Sequence, residues 1–191
     1  MTGPAATSAR TEKEKMLAGE LYVGSDPDLV ADHLRGQAIL ERFNATPAAA
    51  VEERTRLLDQ LCGAFGAGSV IRPSFRCDYG ANLRIGRNVF VNFDCVFLDC
   101  NVITIGDDVQ IGPAVQLYTA QHPTDPAQRR ALLEYALPIT IGENAWIGGG
   151  AIVCPGVTIG ANSVIGAGSV VTRDIPADVV AVGNPCRVTR R

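Results

Sequence analysis

A chain of 191 residues that is 47% hydrophobic but only 6% aromatic must build its core from aliphatic side chains, and it is long enough to build one good core. A net charge of −3 supplies no basic stripe for a nucleic-acid backbone, so no nucleic-acid partner is expected. There is no run of about 18 apolar, uncharged residues that would span a bilayer, and no membrane partner is expected either.

Residues 1–11 read as a frayed tail, and the opening MTGPAATSARTEKEKM has no apolar h-region, which predicts a cytoplasmic protein. The six cysteines (Cys62, Cys77, Cys95, Cys100, Cys154, Cys186) form no C-x-x-C pair and read as reduced thiols. Thr11 to Met16 is a capped helix start. Ser25-Asp26-Pro27 offers an N-cap for a helix through about Phe43, with Leu29, Leu34, Ala38 and Leu40 to Phe43 as its apolar stripe and Gly36 weakening it. Asn44 to Pro47 breaks that helix, and a third is predicted from about Pro47 to Cys62 with Val51, Leu57, Leu58 and Leu61 on one face. Residues 1–62 are thus a helical segment too short to bury a core alone, which must pack on residues 63–191.

Beyond Gly63 the period changes. Ile141, Ile147, Val153, Ile159, Ile165 and Val171 recur every six positions, and four of them precede glycine. Ile85, Val91 and Phe97 keep the same spacing, as do Ile105, Ile111 and Leu117, with a two-residue surplus around Cys100-Asn101 between the two sets. Neither a helical face nor strand alternation produces this pattern, whereas the hexapeptide repeat of a parallel β-helix does. Three hexads make one triangular coil, with the periodic residue inward. Arg87-Asn88, Asp107-Asp108, Glu143-Asn144 and Ala161-Asn162 fall at equivalent corners, where Asn and Asp tolerate left-handed backbone angles. The period breaks once, in an extruded loop over residues 118–138, and after Val171 the segment ending VVAVG and CRVTR reads as a strand pair closing the helix.

Long loops in compact domains are often functional, and this one carries His122, one of only two histidines. Histidine side chains take and release protons near neutral pH, which suits a general base on a hydroxyl. A three-histidine zinc site is impossible within one such chain, so no metal is expected. His33, on a polar helix face beside Asp32, reads as solvated. Asn92 stands where a coil usually places a small residue, either as a corner or as the start of an asparagine ladder. Asp78, Asp94 and Asp99 read as corner carboxylates. Trp146, beside inward Ile147, is placed on the outer face as an interface residue or a ligand wall. Gly148-Gly149-Gly150 would let a ligand approach the backbone.

Several motifs in order resemble one family. They are MLAGELY, RCDYGANLRIGRNVFVNFDCVFLD, YTAQHPTDPAQRRALLEYALPI, WIGGGAIVCPGVTIG and VVAVGNPCRV, covering about Glu12 to Arg190. The chain resembles the hexapeptide-repeat sugar O-acetyltransferases of the maltose, galactoside and nodulation-factor group, nearest by eye to the maltose branch. The resemblance implies a left-handed β-helix, acetyl-CoA as co-substrate, a sugar or sugar-like acceptor and a homotrimer with sites between subunits. It implies His122 as general base and Asn92 beside it, with Asp78, Asp99 and Glu134 lining the acceptor pocket. It places Trp146, Gly149, Ala167, Thr172, Arg173, Arg187 and Arg190 along the coenzyme A arm. Gly24, Cys100 and Phe90 depart from the galactoside branch, which carries acidic residues at the first two positions and tyrosine at the third, so the acceptor is left open. A natural-product or antibiotic hydroxyl is the alternative acceptor, and an inactive trimeric coenzyme A-binding scaffold the alternative function.

Overall fold

The structure, a computed structural model, describes residues 10–190. The tail expected over residues 1–11 therefore lies mostly outside the described residues. From residue 64 the chain winds through short parallel strands that stack into three sheets, the sides of a triangular β-helix of six coils. On the first side Ile85, Ile105, Ile141 and Ile159 lie in register, on the second Val91, Ile111, Ile147 and Ile165, and on the third Phe97, Leu117, Val153 and Val171. All of these point inward and are buried. Each contributes roughly 1.5–3 kcal/mol by leaving water, so the stack is stabilised by repetition. In its first coils Phe75 and Phe97 meet edge to face, with ring centroids 5.1 Å apart.

The hexad needs a sharp turn at each corner. Asn88, Asp108, Asn144, Asn162 and Asp178 all take positive φ at the corner after the first side, as the corner chemistry predicts. Their side chains also bond between coils: Asn144 donates to Asn162 at 2.9 Å, and Asn162 to Asp178 at 2.9 Å. Glycine serves where coils come closest. A Cβ on Gly112 would stand 2.5 Å from the Gly149 nitrogen of the next coil.

The helical segment comprises α1 (Glu12–Leu17), α2 (Pro27–Asn44) and α3 (Val51–Leu61). Thr11 and Glu14 form the expected capping box of α1, and the Asp26 carboxylate caps α2 by accepting from Asp28 and Leu29. The third helix begins at Val51, not Pro47, and has no side-chain cap. Thr46 is used elsewhere: its hydroxyl donates to Phe43 O and accepts from Arg54 Nε. The stripe of α2 also differs from expectation. Leu29, Gly36, Leu40 and Phe43 are buried, whereas Leu34 is 62% exposed. Gly36 takes the contact because a Cβ there would come within 2.4 Å of Tyr79 O. Val51, expected on the inner face of α3, is exposed at its first turn; Leu57, Leu58 and Leu61 join Leu40 and Phe43 in the same core as the coils.

The excursion at 118–138 is ordered. Its strands Ala120–Gln121 and Leu133–Ala136 pair antiparallel, α4 (Pro126–Arg130) lies between them, and Tyr22–Val23 pairs with the return strand. At the other end Val180–Val182 and Arg187–Arg190 form the expected closing pair. Among the described residues no helix is long and apolar enough to cross a membrane. Because Ile147 sits in the fourth coil with neighbours above and below, Ile147→Ala is expected to cost about 2–5 kcal/mol. The loss should appear as a lower urea midpoint, and a midpoint unchanged from wild type would contradict this packing.

Candidate active site

One corner of the triangle does not keep the hexad. Between the third side of one coil and the first side of the next, the first two coils spend eight positions, from Cys77 to Ile85 and from Phe97 to Ile105. The third coil spends far more there, since the whole 118–138 excursion leaves at this point between Leu117 and Ile141. These surpluses stack above one another. They present residues 78–82, residues 99–101 and the loop along a single edge. The sequence carried this signal in the positions of its surpluses, each falling at the same corner.

Two side chains replace the backbone ladder lost there. Asp99, with 0% exposure, accepts from the backbone N–H of Asp78 at 2.9 Å, Tyr79 at 2.8 Å and Asn82 at 3.3 Å. Both of its oxygens are engaged, so Asp99, expected to line an acceptor pocket, is taken up in shaping the 78–82 turn. Asn101 is buried as well, and its amide donates to Ala136 O at 2.8 Å and to Met16 O and Leu17 O at the end of α1. It thereby ties coil, loop and helical segment together.

On this base stands a cluster of polar groups, Tyr22 and Cys100 buried, Asp78 and Glu134 half-buried. The Tyr22 hydroxyl donates to Glu134 Oε2 at 2.9 Å, and Cys100 Sγ donates to Asp78 Oδ2 at 3.3 Å. Burial raises the Tyr22 phenol and the Cys100 thiol, keeping both neutral, and the Asp78 and Glu134 carboxylates reinforce this. Burial also raises the Asp78 carboxyl, an effect that the Cys100 hydrogen bond and the nearby His33 partly oppose. Asp78 and Glu134 thus come together, joined by Cys100, one of the departures from the galactoside branch, while Tyr22, Tyr79 and His33 were not anticipated in this cluster. His33 in particular is half-buried, with its ring 6.1 Å from that of Tyr79. Gly24 belongs here too, because a Cβ on it would stand 3.2 Å from the Glu134 carboxylate. Asp26 does not substitute for an acid at Gly24, being occupied as the cap of α2.

His122 follows the strand Ala120–Gln121, is exposed, and has no hydrogen-bond partner among the described residues. The remaining expected residues lie elsewhere. Asn92 is a corner residue, its Oδ1 accepting from Phe93 N at 2.9 Å, and the asparagine ladder runs along a different corner. Gly149 and Ala167 occupy the same corner as Asn92 in later coils, and the Gly149 N–H meets no acceptor among the described residues. Trp146 projects from the second side with 56% exposure. Arg187 and Arg190 are exposed on the closing strand. Thr172 and Arg173 are exposed where the chain leaves the third side after Val171, further along the same edge as the excursion. Asn92 and Asp99 stand at opposite ends of the strand Cys95–Leu98, on the order of 15 Å of extended chain. One chain therefore displays two groups at two corners rather than one assembled site.

The maltose acetyltransferase hexapeptide capping motif matches residues 15–66, and the bacterial transferase hexapeptide (six repeats) matches residues 138–173. Nodulation protein L of Rhizobium meliloti (strain 1021) is 55% identical over 179 residues, which are 94% of this chain and 98% of that protein. The chain belongs to the hexapeptide-repeat O-acetyltransferases. A solved maltose O-acetyltransferase from Clostridium difficile 630 superposes with a TM-score of 0.95 at 50% identity, covering 96% of this chain and 98% of that one. A galactoside acetyltransferase solved in complex with coenzyme A superposes with a TM-score of 0.93 at 42% identity, covering 96% and 92%. Against the galactoside branch of this acetyltransferase family, two of the three departures, Gly24 and Cys100, meet in the Asp78–Glu134 cluster, whereas Phe90 lies on the second side under Arg72.

Burial outweighs the three N–H donors at Asp99 and pushes its carboxyl up to about 7, above the 3.8 of a solvated aspartate. The native state then holds a proton that the unfolded chain has released, so this group's stability contribution falls as pH rises from about 4 to about 7. Asp99→Asn is expected to flatten that slope, compared as urea midpoints at about pH 5 and about pH 8. A slope matching wild type would remove Asp99 as its source.

Proposed function

We propose that this acetyltransferase moves an acetyl group from acetyl-CoA to a hydroxyl of a sugar or sugar-like acceptor, by direct attack in a ternary complex. The observation that carries the reading is the single irregular corner, which gathers carboxylates and hydroxyls suited to a polyol and extends the loop bearing His122. His122 takes the proton from the acceptor hydroxyl as its oxygen attacks the thioester carbonyl. Collapse of the tetrahedral species expels the coenzyme A sulfur, which recovers that proton, leaving an acetyl ester and a thiol. The Gly149 N–H, without an acceptor of its own, suits the developing oxyanion. Asn92 holds the acceptor beside the base. Asp78 and Glu134 accept from the acceptor's other hydroxyls, and Asp99 acts from below. Trp146, Ala167, Thr172, Arg173, Arg187 and Arg190 take the coenzyme A arm. No metal takes part in this scheme.

The separation of the two groups within one chain supports assembly as a homotrimer. In that arrangement the loop and acceptor corner of one subunit face the Trp146–Gly149 coils of its neighbour. The outer faces fit this division. Thr104, Thr140 and Thr158 form a polar ladder on the first side, while Val70, Phe90, Trp146 and Val164 line the second. The neutral Gly24 and Cys100 favour a second reading of the acceptor, a less hydroxylated natural-product or antibiotic alcohol.

His122→Ala is expected to lower turnover by 10²–10⁴-fold, the usual worth of a general base, with little change in the KM for acetyl-CoA. Activity within about threefold of wild type would refute the role. A panel of glucose, maltose, an alkyl galactoside and N-acetylglucosamine, with detection of the acetylated product by mass, identifies the acceptor. Thiol release from acetyl-CoA without any acetylated acceptor would count against the reaction.

A further inference from the structure

The loop that bears His122 is held at its root by the coils and by its own return strand. The Thr119 hydroxyl donates to Leu98 O at 2.6 Å and accepts from Asn101 N at 2.9 Å, and Leu137 N donates to Thr119 O at 2.9 Å. The antiparallel ladder then runs outward and stops at the Gln121–Tyr135 pair. Among the described residues His122, Pro123 and Thr124 make no backbone-to-backbone hydrogen bond. A side chain closes this stretch instead. Arg129 Nη1 donates to Pro123 O at 3.1 Å and to Thr124 O at 3.0 Å, the carbonyls of the two residues after His122. Helix α4 does not call for this contact, since Asp125 already caps it, Oδ1 accepting from Ala127 N at 2.9 Å and Gln128 N at 2.8 Å. Nor is the guanidinium spent on an ion pair. Asp125 stands four residues before it, the spacing of a surface pair on a helix, yet among the described residues no carboxylate pairs with Arg129.

We propose that Arg129 is a positioning residue for His122: by holding these two carbonyls it fixes the backbone that presents the imidazole to the acceptor hydroxyl. The inference rests on the reading of His122 as the base. A base has to stand within hydrogen-bond reach of the proton it takes. No side chain among the described residues bonds the His122 ring, so its place is set by the peptide units on either side. Those before it are fixed by the ladder, and those after it by Arg129. A guanidinium suits the task, because its donors are carried on a rigid plane that can meet two neighbouring oxygens at once. The Arg129 side chain makes no other hydrogen bond among the described residues, so its removal acts on this stretch alone. The Asp78–Glu134 cluster and the Trp146–Gly149 coils keep their own contacts.

The test is steady-state kinetics of the full chain with acetyl-CoA and the best acceptor of the panel. Arg129→Met keeps a long stem and removes the donors. It is expected to lower kcat on the order of tenfold, the scale of a slightly misplaced catalytic group, with both KM values within about twofold of wild type. Arg129→Lys, which keeps a donor on a stem of similar length, is expected to recover kcat to within about threefold of wild type. In a His122→Ala background there is no base left to place, so adding Arg129→Met should change the residual kcat by less than about twofold. A tenfold loss repeated in that background would overturn the proposal, since Arg129 would then act through something other than His122. So would an Arg129→Met kcat equal to wild type, an Arg129→Lys no better than Arg129→Met, or a rise of both KM values with a lowered Tm, as a merely structural residue gives. His122→Ala with near wild-type turnover would instead remove the base, and this inference with it, whatever the Arg129 variants do.

Discussion

Where the β-helix leaves its hexad, the backbone loses the regular partners that stack one coil on the next, and two buried side chains supply substitutes. Asp99 gathers three backbone N–H groups of the 78–82 turn, and Asn101 gathers carbonyls from α1 and from the return strand of the loop. Buried polar groups are costly unless they are bonded, and these are bonded on every face. Among the described residues no buried side-chain nitrogen or oxygen is left without a partner. The irregular corner is therefore as well satisfied as the regular ones. It can hold the cluster of carboxylates and hydroxyls above it.

The regular part makes this possible. A stack of inward Ile, Val and Leu residues in register gives each coil the same cross-section, and the Asn and Asp corners turn the chain without straining it. Strands of two to four residues would be worthless singly; in the stack each pairs with at least one neighbouring coil, and those in the middle with two. Insertions at one corner then leave the other two sides undisturbed. That is why an excursion of this length emerges between Leu117 and Ile141 while Ile111 and Ile147 remain register partners.

Chemistry is divided along the same lines. The corner with the surpluses holds the Asp78–Glu134 cluster and the His122 loop, and another corner and the second side hold Asn92, Gly149 and Trp146. The third side separates them, so the rigidity that orders each group also keeps them apart within a chain. The helical segment is the second contributor to the irregular corner. Tyr22 reaches Glu134, Gly24 lies against the same carboxylate, and α2 braces the strand that leads to Asp78. Residues more than a hundred positions apart in sequence thus meet in one cluster.

The sequence by itself determined the β-helix, its inward residues and its corner residues, because a spacing of six is a local rule that each coil repeats. It also determined the family, through motifs that run in order along nearly the whole chain, and it singled out the His122 loop as the one long break. Helix faces were legible only in part. Leu34 and Val51 obey the apolar pattern yet face solvent, because which stripe is buried depends on where a partner backbone can approach, and Gly36 decided that for α2. The sequence did not tell that Asp99 would be spent on backbone donors, that Cys100 would bond Asp78, or that His33 would turn toward Tyr79. Those outcomes depend on which coils, loops and helices stack at one corner. Their contacts join segments with no periodic relation to one another, so only the tertiary structure decided them.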